Sequence, residues 1–398
     1  MMTKANTQSP PVYSAAPGRT GKPVVLWLQP GPEHYFVAML DKLNTMSGSV
    51  RFHALYLNDE KPNSAPQLVL KHTPATFVGS RRASNGIAAR SVLDAISFDA
   101  AIVGGYNTAF RRAAIRYCGT RGLPVVMFAD SNLRSDRGTA IKTKLKRLVK
   151  HLYLRRLCRS LDAIVPCNRL GIAYWRYYGA QPRQIHRSTY FCSLPDLAAA
   201  EQTSRARVLE RYQIPINSRV LFTAARLVPV KALHLMIQAF TEAKFGDKGW
   251  IWLIAGSGPL RDELTAAAKR AAGDRIRFLG FVPPEDVKAL ARHSELFVLP
   301  SIYEPHGIVV PEALAVGTPV IASDICGAAH DLVEEGKTGW IFKNGSVQSL
   351  REKLVLATDN LEGLAAMRPA CRARFLAWYE RFGPEHVFPE LLRRLLIR

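Results

Sequence analysis

The chain of 398 residues has no apolar run near the ~20 residues that a membrane-spanning helix needs. Cysteine is sparse, with six residues: Cys118, Cys158, Cys167, Cys192, Cys326 and Cys371. None forms a C-x-x-C pair and no spacing repeats. This argues against a zinc site and a disulfide framework, and predicts reduced thiols. Residues 1–22 lack the apolar stretch of a secretory signal, which predicts no export by that route and a disordered tail. Acid is scarce in the first half. Residues 1–200 hold 28 basic and 10 acidic side chains, against 26 and 22 in residues 201–398, within a net charge of +22. The first half therefore faces something anionic, either nucleic acid, a membrane surface or an acidic substrate. With 48% hydrophobic and 22% charged residues, the composition excludes a wholly disordered or collagen-like chain.

What is present is a series of short apolar runs, each followed by a helix-like stretch. In the first half they are Val24–Leu28, Phe52–Leu57, Ala100–Val103, Val125–Phe128 and Ala163–Val165. In the second half they are Val220–Ala224, Ile251–Ala255, Ile276–Leu279, Leu296–Leu299, Val320–Ala322 and Trp340–Phe342. Near-continuous apolar runs alternating with helices predict parallel strands buried on both faces, so each half reads as a doubly wound α/β unit. The expected division is a tail at 1–22, a first unit at 23–197 and a second at 198–375. A helical segment at 376–398, broken at Gly383-Pro384, then packs back on the first unit. Ser193-Leu194-Pro195-Asp196 reads as the linker, followed by one polar helix from Ala198 to Tyr212.

One segment stands apart. From Arg137 to Leu161 there are nine Lys or Arg residues and no acid, with apolar residues mostly three or four apart. That spacing predicts a helix. Leu145, Leu148, Val149, Leu152 and Leu161 either face the protein core or rest on anionic lipid.

Residues suited to binding and chemistry lie between Ala224 and Glu312. Arg226 and Lys231 follow the run Val220–Ala224 and precede a helix starting near Ala232. Two cations at the carboxyl end of a strand, beside a helix N-terminus, can neutralise a diphosphate. Ile254-Ala255-Gly256-Ser257-Gly258-Pro259 is a second strand-to-helix turn, in which glycine permits close backbone approach. The third piece runs from Pro300 to Val320. Glu304 sits on its loop, Gly307 opens a helix and Gly317 closes it. Free amides near Gly307, Ile308 and Val309 can bind phosphate oxygens. Glu312, a turn further in, can accept hydrogen bonds from a ribose diol, at roughly 1.5–3 kcal/mol each. No D-x-D occurs, so no obvious carboxylate pair for a diphosphate-bound metal is present.

At these residues the chain resembles retaining glycosyltransferases of the GT-B fold, specifically the GT4 group. The E-x7-E signature matches as Glu304 and Glu312, and R-L-x(3)-K as Arg226-Leu227 and Lys231. Gly256–Pro259, Phe278-Leu279-Gly280-Phe281-Val282 and Gly317-Thr318-Pro319-Val320 also fit. The likeness is strong over residues 219–342 and architectural over the first half. It implies two Rossmann-like domains facing a central cleft. Arg226 and Lys231 are then expected to hold the diphosphate of a nucleotide-sugar, UDP before GDP. Glu312 meets the ribose, Glu304 the donor sugar, and the backbone at Phe281 and Val282 the base. The first domain takes a glycan or lipid-linked acceptor. Transfer retains the anomeric configuration, by front-face attack through an oxocarbenium-like state. No cofactor or metal is implied, since Arg226, Lys231 and the helix start supply positive charge where the leaving group develops it. The implied setting is surface-polysaccharide synthesis on the cytoplasmic face of the bacterial inner membrane, with the basic first domain on the lipid.

The chain departs from the family in three places. The usual Gly-Gly-x-Glu reads Gln29-Pro30-Gly31-Pro32-Glu33, so Gly31 alone remains to approach phosphate. The usual histidine after Val125–Phe128 reads Ala129-Asp130-Ser131, where Asp130 either serves the acceptor or caps a helix. His306 replaces an aromatic residue, and either touches the donor or fills space. Two other readings compete: a sucrose- or trehalose-type synthase or nucleotide-sugar epimerase of the same fold, and a basic nucleic-acid-binding protein. The second lacks any aromatic–basic RNA motif or zinc-finger spacing, so no nucleic-acid partner is expected.

Overall fold

The computed structural model describes residues 21–31, 33–46, 48–57, 71–79, 86, 88–136, 141–192 and 194–397. The tail up to residue 20, most of the Asn58–Ala89 loop and residues 137–140 lie outside the described residues. Among the described residues twelve strands form two six-stranded sheets in which every strand pairing is parallel. The first contains β1 (Val24–Gln29), β2 (Arg51–Tyr56), β3 (Ala75–Phe77), β4 (Ala100–Gly104), β5 (Val125–Ala129) and β6 (Ala163–Pro166). The second contains β7 (Arg219–Ala224), β8 (Trp250–Ala255), β9 (Ile276–Gly280), β10 (Leu296–Leu299), β11 (Val320–Ser323) and β12 (Gly339–Phe342). Their orders are β3-β2-β1-β4-β5-β6 and β9-β8-β7-β10-β11-β12, the same winding twice. Each winding reverses once, between β1 and β4 and between β7 and β10. Open α/β sheets hold ligands beyond the strand ends at such a reversal.

The apolar runs become strands because helices cover both faces of each sheet. Val24, Leu26 and Leu28 of β1 enter one core, while Val25 and Trp27 enter the core on the opposite face. β8 is buried at every residue. The eleven expected runs all lie on strands, extended by a residue or so or trimmed by one. β3 is additional: three residues at a sheet edge, too short to carry an apolar run.

The connection between the domains differs from the sequence reading. Residues 194–196 begin the helix Leu194–Gln202 instead of forming a linker, because proline is tolerated in the first helical turn. The single polar helix divides in two. Ser204 caps the second part, Arg205–Arg211, its hydroxyl accepting from the Arg207 N–H at 3.3 Å. The expected boundaries at 197/198 and 375/376 therefore fall inside helices. The helix Leu361–Phe382 runs unbroken past residue 375, and the chain turns at Gly383. Pro384 then opens the helix Pro384–Leu396. Its Phe388, Leu391, Leu392 and Leu395 fill a core of the first domain, with the Phe388 ring centroid 4.6 Å from that of Trp27. All six cysteines are free and buried.

Candidate active site

The reversal between β7 and β10 gathers most of the motif residues. Arg226 lies two residues beyond β7 and is exposed. Lys231 ends a short 3-10 turn, Pro229–Lys231, before the helix Leu233–Glu242. The Ile302 N–H donates to the Val230 carbonyl at 2.9 Å, tying the loop after β10 to the loop after β7. Across that tie, the Lys231 ammonium pairs with the Glu304 carboxylate. Ser301 Oγ donates to the same Glu304 oxygen at 3.1 Å. Glu304 is only 8% exposed, and these two partners satisfy its buried carboxylate oxygen.

The helix carrying Glu312 spans Val309–Ala315. Ile308 and Val309 N–H groups, at its start, have no carbonyl of their own helix to bond. Gly307, at φ +86°, places them: a Cβ there would lie 2.6 Å from Cys326 Sγ, so only glycine fits. Glu312 pairs with the buried Lys288 at 3.4 Å. Lys288 sits on the helix Pro284–Arg292 within Val287-Lys288-Ala289-Leu290-Ala291. A lysine in such an apolar stretch was the available signal, but its partner comes from a different helix.

Gly256 meets a packing requirement of its own. At φ +145°, its missing Cβ leaves room for the Ala225 carbonyl, which a Cβ would approach to 1.9 Å. The close backbone approach is thus between the loops after β7 and β8, joined also by the Leu227 N–H to the Ser257 carbonyl at 2.9 Å. Val282 is buried just beyond β9, next to the half-exposed Phe281.

Gly31 and Asp130 lie on the first domain, across a cleft of about 430 Å³ whose far wall includes Tyr303. Gly31 has open space beside it. Asp130, at the end of β5, accepts a hydrogen bond from the Tyr190 hydroxyl at 3.3 Å. Its side chain thus faces the cleft, with a tyrosine as partner. Burial pushes the Asp130 carboxyl above the usual range, and the Glu304 charge across the cleft adds to this. Tyr35 joins the two sides. Burial and the charges of Glu33 and Asp130 raise its hydroxyl, and Arg226 of the second domain opposes them.

Arg111 belongs to none of the sequence motifs. It occupies the first turn of the helix Ala109–Thr120, beyond β4, and lines the cleft although only 3% exposed. Burial lowers its guanidinium to about 10. Its Nη1 donates to Asn107 Oδ1, and among the described residues its Nε has no partner. A second arginine, Arg112, follows directly, so sequence alone does not reveal which of the two turns inward.

His306 sits in the seam between the domains. Its ring nitrogens lie 3.4 Å from Asn168 Nδ2 and from Thr189 Oγ1, and its ring meets Tyr190 edge-on. Burial lowers the imidazole to about 3, so it is neutral at pH 7. Asn168 Nδ2 also donates to the Pro305 carbonyl at 3.0 Å, while its Oδ1 caps the helix Arg169–Tyr177. Asp331 of the second domain, fully buried at its side chain, takes Arg187 at 2.6 Å and Arg169 at 3.2 Å from the first.

Residues 205–374 match the family model described as glycosyl transferases group 1. The alpha-D-kanosaminyltransferase of Streptomyces kanamyceticus is 32% identical over 59% of this chain and 62% of its own length. A putative colanic acid biosynthesis glycosyltransferase, WcaL of Salmonella typhimurium, is 33% identical over 50% of this chain and 48% of its own. The chain thus spans about half the length of the curated relatives it matches. Among solved structures, Anabaena HepE in complex with UDP has a TM-score of 0.72 at 17% identity, covering 95% of this chain and all of that one. WaaG, a glycosyltransferase involved in lipopolysaccharide biosynthesis, has a TM-score of 0.65 at 16% identity, covering 94% of this chain and 99% of that one. The architecture is the GT-B fold.

Proposed function

We propose, on the premise that residues 205–374 belong to the glycosyl transferases group 1 family, that this chain is a retaining glycosyltransferase of the GT4 type. It moves a sugar from a nucleotide diphosphate sugar to a glycan or lipid-linked acceptor in surface-polysaccharide synthesis. One observation carries the reading: at the β7/β10 reversal the loop bearing Arg226 and Lys231 is tied to the loop after β10, with Lys231 paired to Glu304 just ahead of the helix that carries Glu312.

The roles follow from charge and reach. The diphosphate lies against Arg226, Lys231 and the helix start, where its leaving charge is stabilised as it develops. Glu312, steadied by Lys288, accepts from the ribose hydroxyls. Glu304 orients the donor sugar. Lys231 binds both this carboxylate and the phosphate, so donor binding and sugar orientation are coupled through one ammonium. No metal enters the proposal. UDP is the preferred nucleotide, and the UDP bound to the Anabaena protein supports that choice. The colanic acid and amylovoran enzymes among the relatives support a polysaccharide product.

Membrane contact is part of the same reading. No helix among the described residues is long and apolar enough to cross a membrane. The excess of basic over acidic residues in the first domain supports peripheral attachment to a cytoplasmic membrane face. Incubation with UDP-sugars and a membrane extract, followed by proton NMR of the product, tests the reaction. The expected result is acceptor-dependent UDP release and a product with the donor's anomeric configuration. An inverted product removes the retaining assignment. An isomerised nucleotide-sugar formed without acceptor replaces transfer with epimerisation.

A further inference from the structure

The helix Ile141–Cys158 carries a surface that sugar transfer does not use. Leu154, Leu157 and Cys158 are buried against the first sheet. Leu148, Val149 and Leu152, which the sequence allowed to face the core, are 56%, 59% and 60% exposed. Tyr153 and Tyr177 extend this ridge at 38% and 59% exposure. The Tyr153 ring lies 6.1 Å from Tyr106, and Tyr106 lines the cleft, so the ridge begins at the cleft rim.

The ridge continues into cations. Leu148, Leu152 and Arg155 succeed one another at spacings of four and three, one stripe along the helix, and Arg159 follows just beyond its end. Beside Arg155 and Arg159 opens a pocket of about 410 Å³, lined also by His151, Arg183 and Tyr177. No carboxylate lines it, and among the described residues none pairs with Arg155, Arg159 or Arg183. The pocket is firmly built. Gln184 Nε2 donates to the Cys158 and Leu161 carbonyls at 2.9 and 2.6 Å, fastening the turn to the helix end. The Gln181 N–H closes the turn on Gln184 Oε1 at 3.0 Å. Three arginines lining one pocket without a counter-charge are complementary to a phosphate, which accepts forked guanidinium donors in pairs.

We propose that this pocket binds the phosphate of an anionic membrane phospholipid while the adjoining ridge enters the acyl-chain boundary. The ridge decides the occupant. A free phosphate needs no exposed leucines beside it, whereas a phospholipid presents charge and hydrocarbon side by side, as this helix does. The inference rests on the membrane-associated reading above and gives it an address: bound there, the cleft rim at Tyr106 lies next to the bilayer.

Flotation with vesicles tests it. Phosphatidylcholine vesicles are compared with phosphatidylcholine–phosphatidylglycerol vesicles, using the full chain and two triple variants. One is Arg155→Gln/Arg159→Gln/Arg183→Gln. The control is Lys42→Gln/Arg51→Gln/Lys71→Gln, which removes equal charge from exposed positions around β2. β2 lies four strands from β6, about 19 Å, beyond the ~10 Å screening length at 0.1 M salt. The expected result is binding to anionic vesicles that falls about a hundredfold in the pocket variant and only slightly in the control. Equal losses in both variants overturn the pocket while leaving membrane attachment in place. No binding by the unaltered chain overturns both. Neither outcome touches glycosyl transfer, which is read separately by UDP release.

Discussion

At the residue scale, the site depends on partners far apart in sequence. Glu304 and Lys231 are 73 positions apart, yet form one pair. In the proposed reaction Lys231 stabilises the leaving diphosphate, so Lys231→Ala is expected to lower kcat about a hundredfold. Steady-state rates on UDP-sugar read this directly. Asp130 makes a prediction of opposite sign for stability. Burial raises its carboxyl, so the folded state holds its proton more tightly than the unfolded chain does. That contribution is present at low pH and lost as pH rises through the raised pKa. Asp130→Asn is therefore expected to stabilise the fold at pH 7 by roughly 1 kcal/mol, read by denaturant titration. His306 behaves in the other sense. Its folded value of about 3 lies below the unfolded 6.5, so stability falls as pH drops from 6.5 toward 3. In His306→Phe, up to about 1.4 kcal/mol per pH unit of that slope should vanish. An unchanged slope would place the acid sensitivity elsewhere. The motif residues were legible because each is one residue type at a fixed spacing from its neighbours. Lys288, Arg111 and Tyr190 were not, because each acquires its role from an element brought close only by folding.

At the scale of elements, the strands were readable because burial on both faces turns a parallel strand into an apolar run. β3 escaped because three residues at an edge carry no such run. The interdomain helices escaped for a different reason. Pro195 and the polar residues after it look like a linker, yet proline is acceptable in a first helical turn. Amphipathicity placed the helix Ile141–Cys158, but periodicity alone could not say which leucines face inward. Packing answers that, with Leu154 and Leu157 inside and Leu148 and Leu152 outside. The turn into the helix Val309–Ala315 makes its own prediction. Gly307→Ala meets both a left-handed backbone and Cys326 Sγ, and should cost about 2 kcal/mol or more of second-domain stability in thermal unfolding.

At the scale of the whole molecule, two like-wound domains share one cleft, and the chain links them at both ends. It crosses after Cys192 and returns at Gly383, where the helix Pro384–Leu396 docks on the first sheet. The buried Asp331, held by Arg187 and Arg169, locks the seam between them. Asp331→Ala leaves Arg187 without its counter-charge and should destabilise the closed pair of domains by about 3–5 kcal/mol. A wider envelope in small-angle scattering would accompany that loss. In the proposed function the β7/β10 reversal binds a nucleoside diphosphate by its own cations and amides. Calorimetric titration of UDP, GDP and ADP, with EDTA present, on the unaltered chain and on Glu312→Ala, tests it most directly. The expected result is micromolar binding of one nucleotide, UDP first, and its loss in the variant. Absence of binding by all three, or unchanged affinity in Glu312→Ala, would contradict it.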